Sequence, residues 1–298
     1  MKGAAMPKSI GFAILTAIIF SVISCQYTLA DPWKNSLEAS LNLTQNAYSN
    51  SWTGGEIGNV VWVGNINGIF EKQVSPKFNF RNTTKLQFGE TVSQDQTTKD
   101  WHHPIKSTDK IEIDNLGRLT LHAFVDPYID FGILSQFYDA THHPKKIYVN
   151  PLLLTESAGV SRTLYSKGKN EAITRLGFSV RQNFDVDASK ASLPRRSTND
   201  GGFESVTEAQ YALAKTLTYT AKLTLFKAIY FSDKSKYKGQ PEENYWKAVH
   251  VNLENTFGAS VTKYVQVTLY AQLLYDKLIS KKVRFKETLS LGLTFKLK

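Results

Sequence analysis

The sequence predicts an all-β chain closed into an antiparallel up-and-down transmembrane β-barrel of about twelve strands. Three observations carry this expectation. Long stretches alternate apolar and polar residues, the connections between them are by turns long and short, and an export signal precedes them all. With 42% hydrophobic and 21% charged residues in 298 positions, the composition excludes disordered, collagen-like and coiled-coil chains.

The signal comes first in the chain. Lys2 and Lys8 precede the apolar stretch 10–23, and Tyr27-Thr28-Leu29-Ala30 follows it. A basic start, an apolar middle and small residues at the end are the order of a secretory leader, which places cleavage after Ala30 and the mature domain at 31–298. The apolar stretch is short for a helix that needs about 20 residues to span. A second reading is open, because Val22-Ile23-Ser24-Cys25 also suits lipid attachment at Cys25. Cys25 is the one cysteine, so neither a disulfide framework nor a cysteine metal cluster is expected.

Period-two alternation then marks the strands. It begins with Leu37, Ala39, Leu41 and Leu43. Leu119, Leu121, Ala123, Val125, Ile129, Phe131 and Ile133 share one parity in the middle, and Pro127 among them suggests a bulge or bend. Leu176, Phe178, Val180 and Phe184 alternate with Arg175, Ser179, Arg181 and Asn183. Leu217, Tyr219, Ala221, Leu223 and Leu225 stand against Thr218, Thr220, Lys222 and Thr224. Val265, Val267, Leu269, Ala271 and Leu273 follow, and finally Val283, Phe285, Leu289, Leu291, Leu293, Phe295 and Leu297, a row broken only by Glu287. No stretch carries a sustained helical stripe.

These alternations outlast the roughly 5–6 residues of a soluble sandwich strand and suit the roughly 9–11 that cross a membrane. Strands are expected at 34–48, 57–72, 77–92, 106–115, 119–137, 149–165, 171–186, 204–215, 219–231, 245–257, 261–275 and 283–297. The 106–115 strand is the weakest, and without it the count falls towards ten. Long polar connections at 50–56, 93–105, 138–148, 187–202, 232–244 and 276–282 alternate with tight ones at 73–76, 116–118, 166–170, 216–218 and 256–260. Long loops at one end and tight turns at the other are the habit of outer-membrane barrels. Both termini are then expected in the periplasm and the chain in the cell outer membrane, with outer-membrane lipid and the barrel assembly machinery as partners.

After the first strand, Asn50-Ser51-Trp52-Thr53-Gly54-Gly55 resembles a motif of an uncharacterised family of outer-membrane barrels, filed as a domain of unknown function, that carries an Asn-Trp-x-x-Gly-Gly turn. Asn50, Trp52, Gly54 and Gly55 hold the family positions. The resemblance continues through Thr108-Asp109-Lys110-Ile111, Ser135-Gln136-Phe137, Asn150-Pro151-Leu152 and Thr155-Glu156-Ser157-Ala158-Gly159. Ser51 is inserted between Asn and Trp, and Glu56-Ile57-Gly58 replaces a more polar continuation. The chain also ends in Lys298 where barrel assembly signals usually end in an aromatic, although Phe295 has the right parity. The resemblance implies a membrane barrel and brings no activity.

Candidate chemistry is sparse. His102-His103-Pro104 and His142-His143-Pro144 both fall in loops of the long-loop end, so His102, His103, His142 and His143 are candidate zinc or copper ligands. The simpler reading is solvated loop histidines before turn prolines, and no metal or other cofactor is expected. No Ser–His pair has a recognisable spacing, so catalysis is not indicated. Asp126, Asp130, Arg175, Arg181, Lys222 and Arg284 have the parity of the lumen, where Arg81, Lys85 and Lys286 can join them. Facing lipid would cost about 2–4 kcal/mol for each Arg or Lys near the midplane. Such a row reads either as a basic passage favouring anions or as a salt-bridged network that fills the lumen. The net charge of +10, two lysines of which belong to the leader, suits small anions or lipid phosphate; no recognition motif points to nucleic acid. Trp33, Trp62, Trp246 and the tyrosines read as an interfacial girdle.

The expected function is thus an outer-membrane barrel of structural or transport type. A soluble periplasmic barrel binding a lipid-like ligand and an outer-membrane barrel hydrolase are the alternatives.

Overall fold

The computed structural model describes residues 33–49, 56–121, 123–141, 146–186 and 192–297. The leader, including Cys25 and Ala30, lies outside them, as do the Asn50–Gly55 motif and His142 and His143.

The strands are β1 (Lys34–Asn46), β2 (Asn59–Ser75), β3 (Phe78–Ser93), β4 (Ile105–Leu119), β5 (Asp126–Ser135), β6 (Tyr138–Asp139), β7 (Ile147–Tyr148), β8 (Leu152–Lys167), β9 (Asn170–Val186), β10 (Arg195–Ala212), β11 (Leu217–Phe231), β12 (Val249–Ser260), β13 (Val265–Tyr275) and β14 (Arg284–Leu297). Twelve of them close into one barrel in the order β1-β14-β13-β12-β11-β10-β9-β8-β5-β4-β3-β2, and β6 pairs with β7 as a small separate hairpin. Every neighbouring pair is antiparallel, so this is an up-and-down transmembrane-type barrel. Among the described residues the only helical turns are two short 3-10 turns between β11 and β12.

Hydrophobic side chains point away from the barrel axis. Leu289 is 71% exposed, and Phe285, Leu291, Leu293, Leu176, Phe178, Phe203 and Ile129 are exposed as well. A soluble barrel would turn these inward. In lipid the arrangement is favourable, because closure pairs the backbone groups that hydrocarbon cannot satisfy. Aromatic pairs gather near the strand ends: Trp62–Phe88 on one side, and Tyr165–Tyr211, Tyr219–Phe257 and Tyr264–Phe295 at the tight-turn end.

The weak 106–115 strand is a full wall strand, β4, paired along its length with β3 and over Ile111–Arg118 with β5. Its two isoleucines understated it because its other face carries the charges of the lumen. The expected strand 119–137 is corrected. β4 ends at Leu119 and β5 starts at Asp126, so the continuous parity from Leu119 ran across a strand break flanked by apolar residues of the same parity. Pro127 therefore sits at the second position of β5, in regular register with Val160, and makes no bulge. β10 begins at Arg195 rather than 204, because Asn199, Asp200, Gly201 and Gly202 look like loop residues yet pair with β9. β12 begins at Val249, because Tyr245–Lys247 is a 3-10 turn.

One contact sets the wall's inner contour. Tyr128 of β5 stands opposite Gly159 of β8, which stands opposite Gly177 of β9. The phenol reaches across to Gly177: a Cβ there would come 2.6 Å from the Tyr128 hydroxyl oxygen, and also onto the Ala158 carbonyl. Gly177→Val is expected to destabilise the barrel by about 3 kcal/mol or more, since neither the ring nor the carbonyl can yield freely. The check is the midpoint temperature at which the folded, fast-migrating band is lost on detergent gels; an unchanged midpoint would refute this packing.

Candidate functional site

Inward-facing positions at mid-height form one continuous network of charges. Arg175 of β9 is 3% exposed and reaches three carboxylates: Asp130 at 3.2 Å, Glu208 at 3.6 Å and Asp114 at 3.7 Å. Lys222 of β11 lies 3.0 Å from Glu112, 3.6 Å from Asp114 and 3.9 Å from Glu208. Lys110 of β4 meets Glu112 on its own strand and Glu254 of β12 at 3.3 Å. Lys85 of β3 lies 3.6 Å from Glu112 and 3.9 Å from Glu254. Four cations and five carboxylates thus share one connected patch.

The strand order shows what these contacts do. Going round the wall from β4 to β12, five strands intervene in either direction. The Lys110–Glu254 pair therefore crosses the bore from one wall to the opposite one. The Lys222–Glu112 pair, between β11 and β4, is nearly as wide a crossing. Lys and Glu side chains are long enough to meet only where opposite walls leave no wide channel between them. The bore is bridged at mid-height.

A second layer lies nearer the long-loop end. Arg181 of β9 grips Asp200 of β10 through two nitrogens, lies 3.7 Å over the Phe226 ring, and touches His250 Nδ1 at 3.3 Å. His250 Nδ1 is also 3.5 Å from Asp276, which follows β13. Above this, inward-facing Phe226, Ala228 and Phe231 of β11 are buried by the 232–248 connection, whose Trp246 stacks on Phe231 at 6.1 Å, with Tyr237 and Leu278 alongside. The loop folds down on the lumen face of the wall. Trp246 is thus part of a loop core and not of the girdle.

The lumen residues read from the sequence divide as follows. Asp130, Arg175 and Lys222 belong to the bridge, as does Lys85, and Arg181 belongs to the upper layer. Asp126 does not join them. It starts β5, and its carboxylate accepts the Leu121 N–H at 2.9 Å, which ties Leu121 to the start of the strand. Arg81 pairs with Glu171 at 3.5 Å near the tight-turn end. Arg284 and Lys286 of β14 make no ion pair with any described residue; Lys286 reaches the Thr108 hydroxyl at 3.4 Å, and Arg284 Nε is buried without a partner.

The sequence reading missed Lys110, Glu112, Asp114, Glu208 and Glu254 as lumen residues. Their parity was available: Glu112 and Asp114 alternate with Ile111 and Ile113, and Glu254 with Leu253. With them the mid-height network is mixed, five carboxylates to four cations, which fits the salt-bridged reading and not the basic-lined one. Of the loop histidines, His102 lies 3.7 Å from Asp95, whose carboxyl is held below its ordinary range by the backbone N–H groups of Thr98 and Thr97, with His102 adding to the effect. Among the described residues no cluster of three His, Cys, Asp or Glu side chains has metal-site geometry.

Comparison with known proteins adds the following. Residues 43–140 match the model of a family described as a protein of unknown function (DUF3078). The DUF3078 match takes in β2 to β6 and the Thr108–Ile111 and Ser135–Phe137 segments, and it brings no activity. No curated protein matches. Among solved structures, the chain is similar to an outer membrane channel from Pseudomonas putida F1, at 13% identity and TM-score 0.42 over 92% of this chain and 97% of that one. It is similar to the translocator domain of the autotransporter NalP from Neisseria meningitidis, at 7% identity and TM-score 0.36 over 96% and 94%. It is also similar to the NanC porin, at 10% identity and TM-score 0.35 over 88% and 100%. Likeness at this level is distant.

Proposed function

We propose that the protein is an outer-membrane barrel, long loops outward and termini in the periplasm, whose bore is closed at rest by charged side chains bridging opposite walls. It acts in the envelope as a non-catalytic barrel of structural or transport type and not as an open diffusion pore. The observation that carries this is the pair of crossings, Lys110–Glu254 and Lys222–Glu112, at the height where Arg175 is sealed among Asp114, Asp130 and Glu208. Charges so held are fixed in place, because each separated partner would be left uncompensated in a poorly hydrated space.

Planar-bilayer recording on the purified full chain tests this. The expected record has no discrete conductance steps at moderate voltage. Frequent, long-lived steps in the wild-type protein would overturn the closed-bore reading.

A further inference from the structure

The barrel does not close along its whole height. β1 pairs with β2 over all of Lys34–Asn46, and β14 pairs with β13 over Arg284–Leu293. At the seam, β1 pairs with β14 only over Leu37–Asn42 against Leu297–Gly292. Continuing that register would set Leu43 opposite Leu291 and Thr44 opposite Ser290, yet no pairing is made there. Gly292, the last closing residue, lies against the Asn42 side chain and the Leu41 carbonyl with no space for a Cβ, so the strands part just beyond their tightest approach.

Exposure shows the same gap independently. Thr44, Asn46 and Lys286 have lumen parity, and all three are exposed, whereas Val61 of β2 opposite Thr44 and Gln272 of β13 opposite Lys286 are partly buried at the same heights. The gap occupies the long-loop half of the seam and so, on the orientation proposed above, the outer leaflet. Backbone groups along it cannot be left to hydrocarbon, which offers them no hydrogen bond. Something polar must reach them.

What fits is set by the residues on either side. Leu41, Leu43, Leu289, Leu291 and Phe285 present a strongly exposed apolar outer surface. On the lumen side stand Arg284 and Lys286, the two lumen cations of β14 without an ion-pair partner among the described residues, and Arg284 Nε is buried and unsatisfied.

We propose that the open half of the β1–β14 seam is a lateral binding site for a single-chain anionic amphiphile of the fatty-acid class. Its carboxylate enters the gap and accepts hydrogen bonds from Arg284 and Lys286, while its chain lies on the outer face of the wall against Leu43, Leu289 and Leu291. The carboxylate and the water it carries satisfy the edge groups. The cross-bore bridge lies lower and closes the route onward, so this site opens sideways to the membrane.

The test uses the full mature protein in detergent, with folding checked by heat-modifiable mobility and a dansyl-labelled undecanoic acid as probe. The wild type is expected to bind it saturably. Arg284→Gln combined with Lys286→Gln is expected to weaken binding about tenfold or more, the loss of charge-assisted hydrogen bonds, with mobility unchanged. Thr44→Cys with Ser290→Cys places the two thiols across the gap. Oxidation is expected to abolish binding, and reduction to restore it.

Equal probe affinity in the folded Gln variant, or full binding with the crosslink formed, would overturn the proposal, as would a wild type that takes up an extended peptide but not the probe. Conductance recorded on the same preparation reports separately on the bridged bore, so failure of that reading is distinguishable from failure here.

Discussion

Arg175→Met is expected to destabilise the barrel more than any other single substitution in the lumen. The guanidinium is 3% exposed and faces Asp114, Asp130 and Glu208 at once. Methionine keeps the apolar stem of the arginine and removes the guanidinium with its charge. Three carboxylates are then left close together, with Lys222 as the nearest compensating cation for two of them. Breaking a buried ion pair from one side costs about 3–5 kcal/mol. The measurable result is a marked fall in the midpoint of unfolding in urea or on heating, read by gel mobility. Asp130→Asn in the Met background should recover part of the loss, because it removes one uncompensated charge. A single Met variant as stable as the wild type would show that the network does not hold the wall.

The second large effect concerns permeability. Lys110→Ala, Glu112→Ala, Lys222→Ala and Glu254→Ala together remove both crossings and leave the net charge unchanged. The bore should then conduct. Discrete steps are expected where the wild type gives none, with little ion preference, since equal numbers of acids and bases are removed. The corresponding change outside the bore, Lys72→Ala with Glu90→Ala, should leave the record silent. A quadruple variant that folds but stays closed would mean that the loop core around Trp246, and not the bridge, sets the resistance.

Much of this architecture was legible in the sequence because a membrane imposes period two more strictly than a soluble core does. Leu289, Leu291, Leu293 and Phe295 have one environment for a whole strand, and their parity read directly as direction. Errors came where the environment changes within an apolar run. Leu121, Val125 and Ile129 keep one parity across a strand break, so the start of β5 was hidden. Asn199 to Gly202 look like a loop, yet they are the wall that carries Asp200 to Arg181. The lumen was half legible: parity gave Asp130, Arg175 and Lys222 their direction, but which charges meet depends on barrel closure. Glu254 lies 144 residues from Lys110, and no local pattern announces such a pair. The incomplete seam was hidden for the same reason, because pairing between the first and last strands is a property of the closed sheet.

The connection over β11 has a consequence for how this protein can diverge. Most surface loops vary freely because nothing beneath them depends on their sequence. Here Tyr237, Trp246 and Leu278 are anchored on Phe231 and its neighbours, while Lys234, Lys236 and Lys238 point into solvent. The connection is therefore a fixed scaffold carrying interchangeable charges. Substitution can change those lysines but not the tryptophan, since losing that anchor would release the loop from the lumen face it covers.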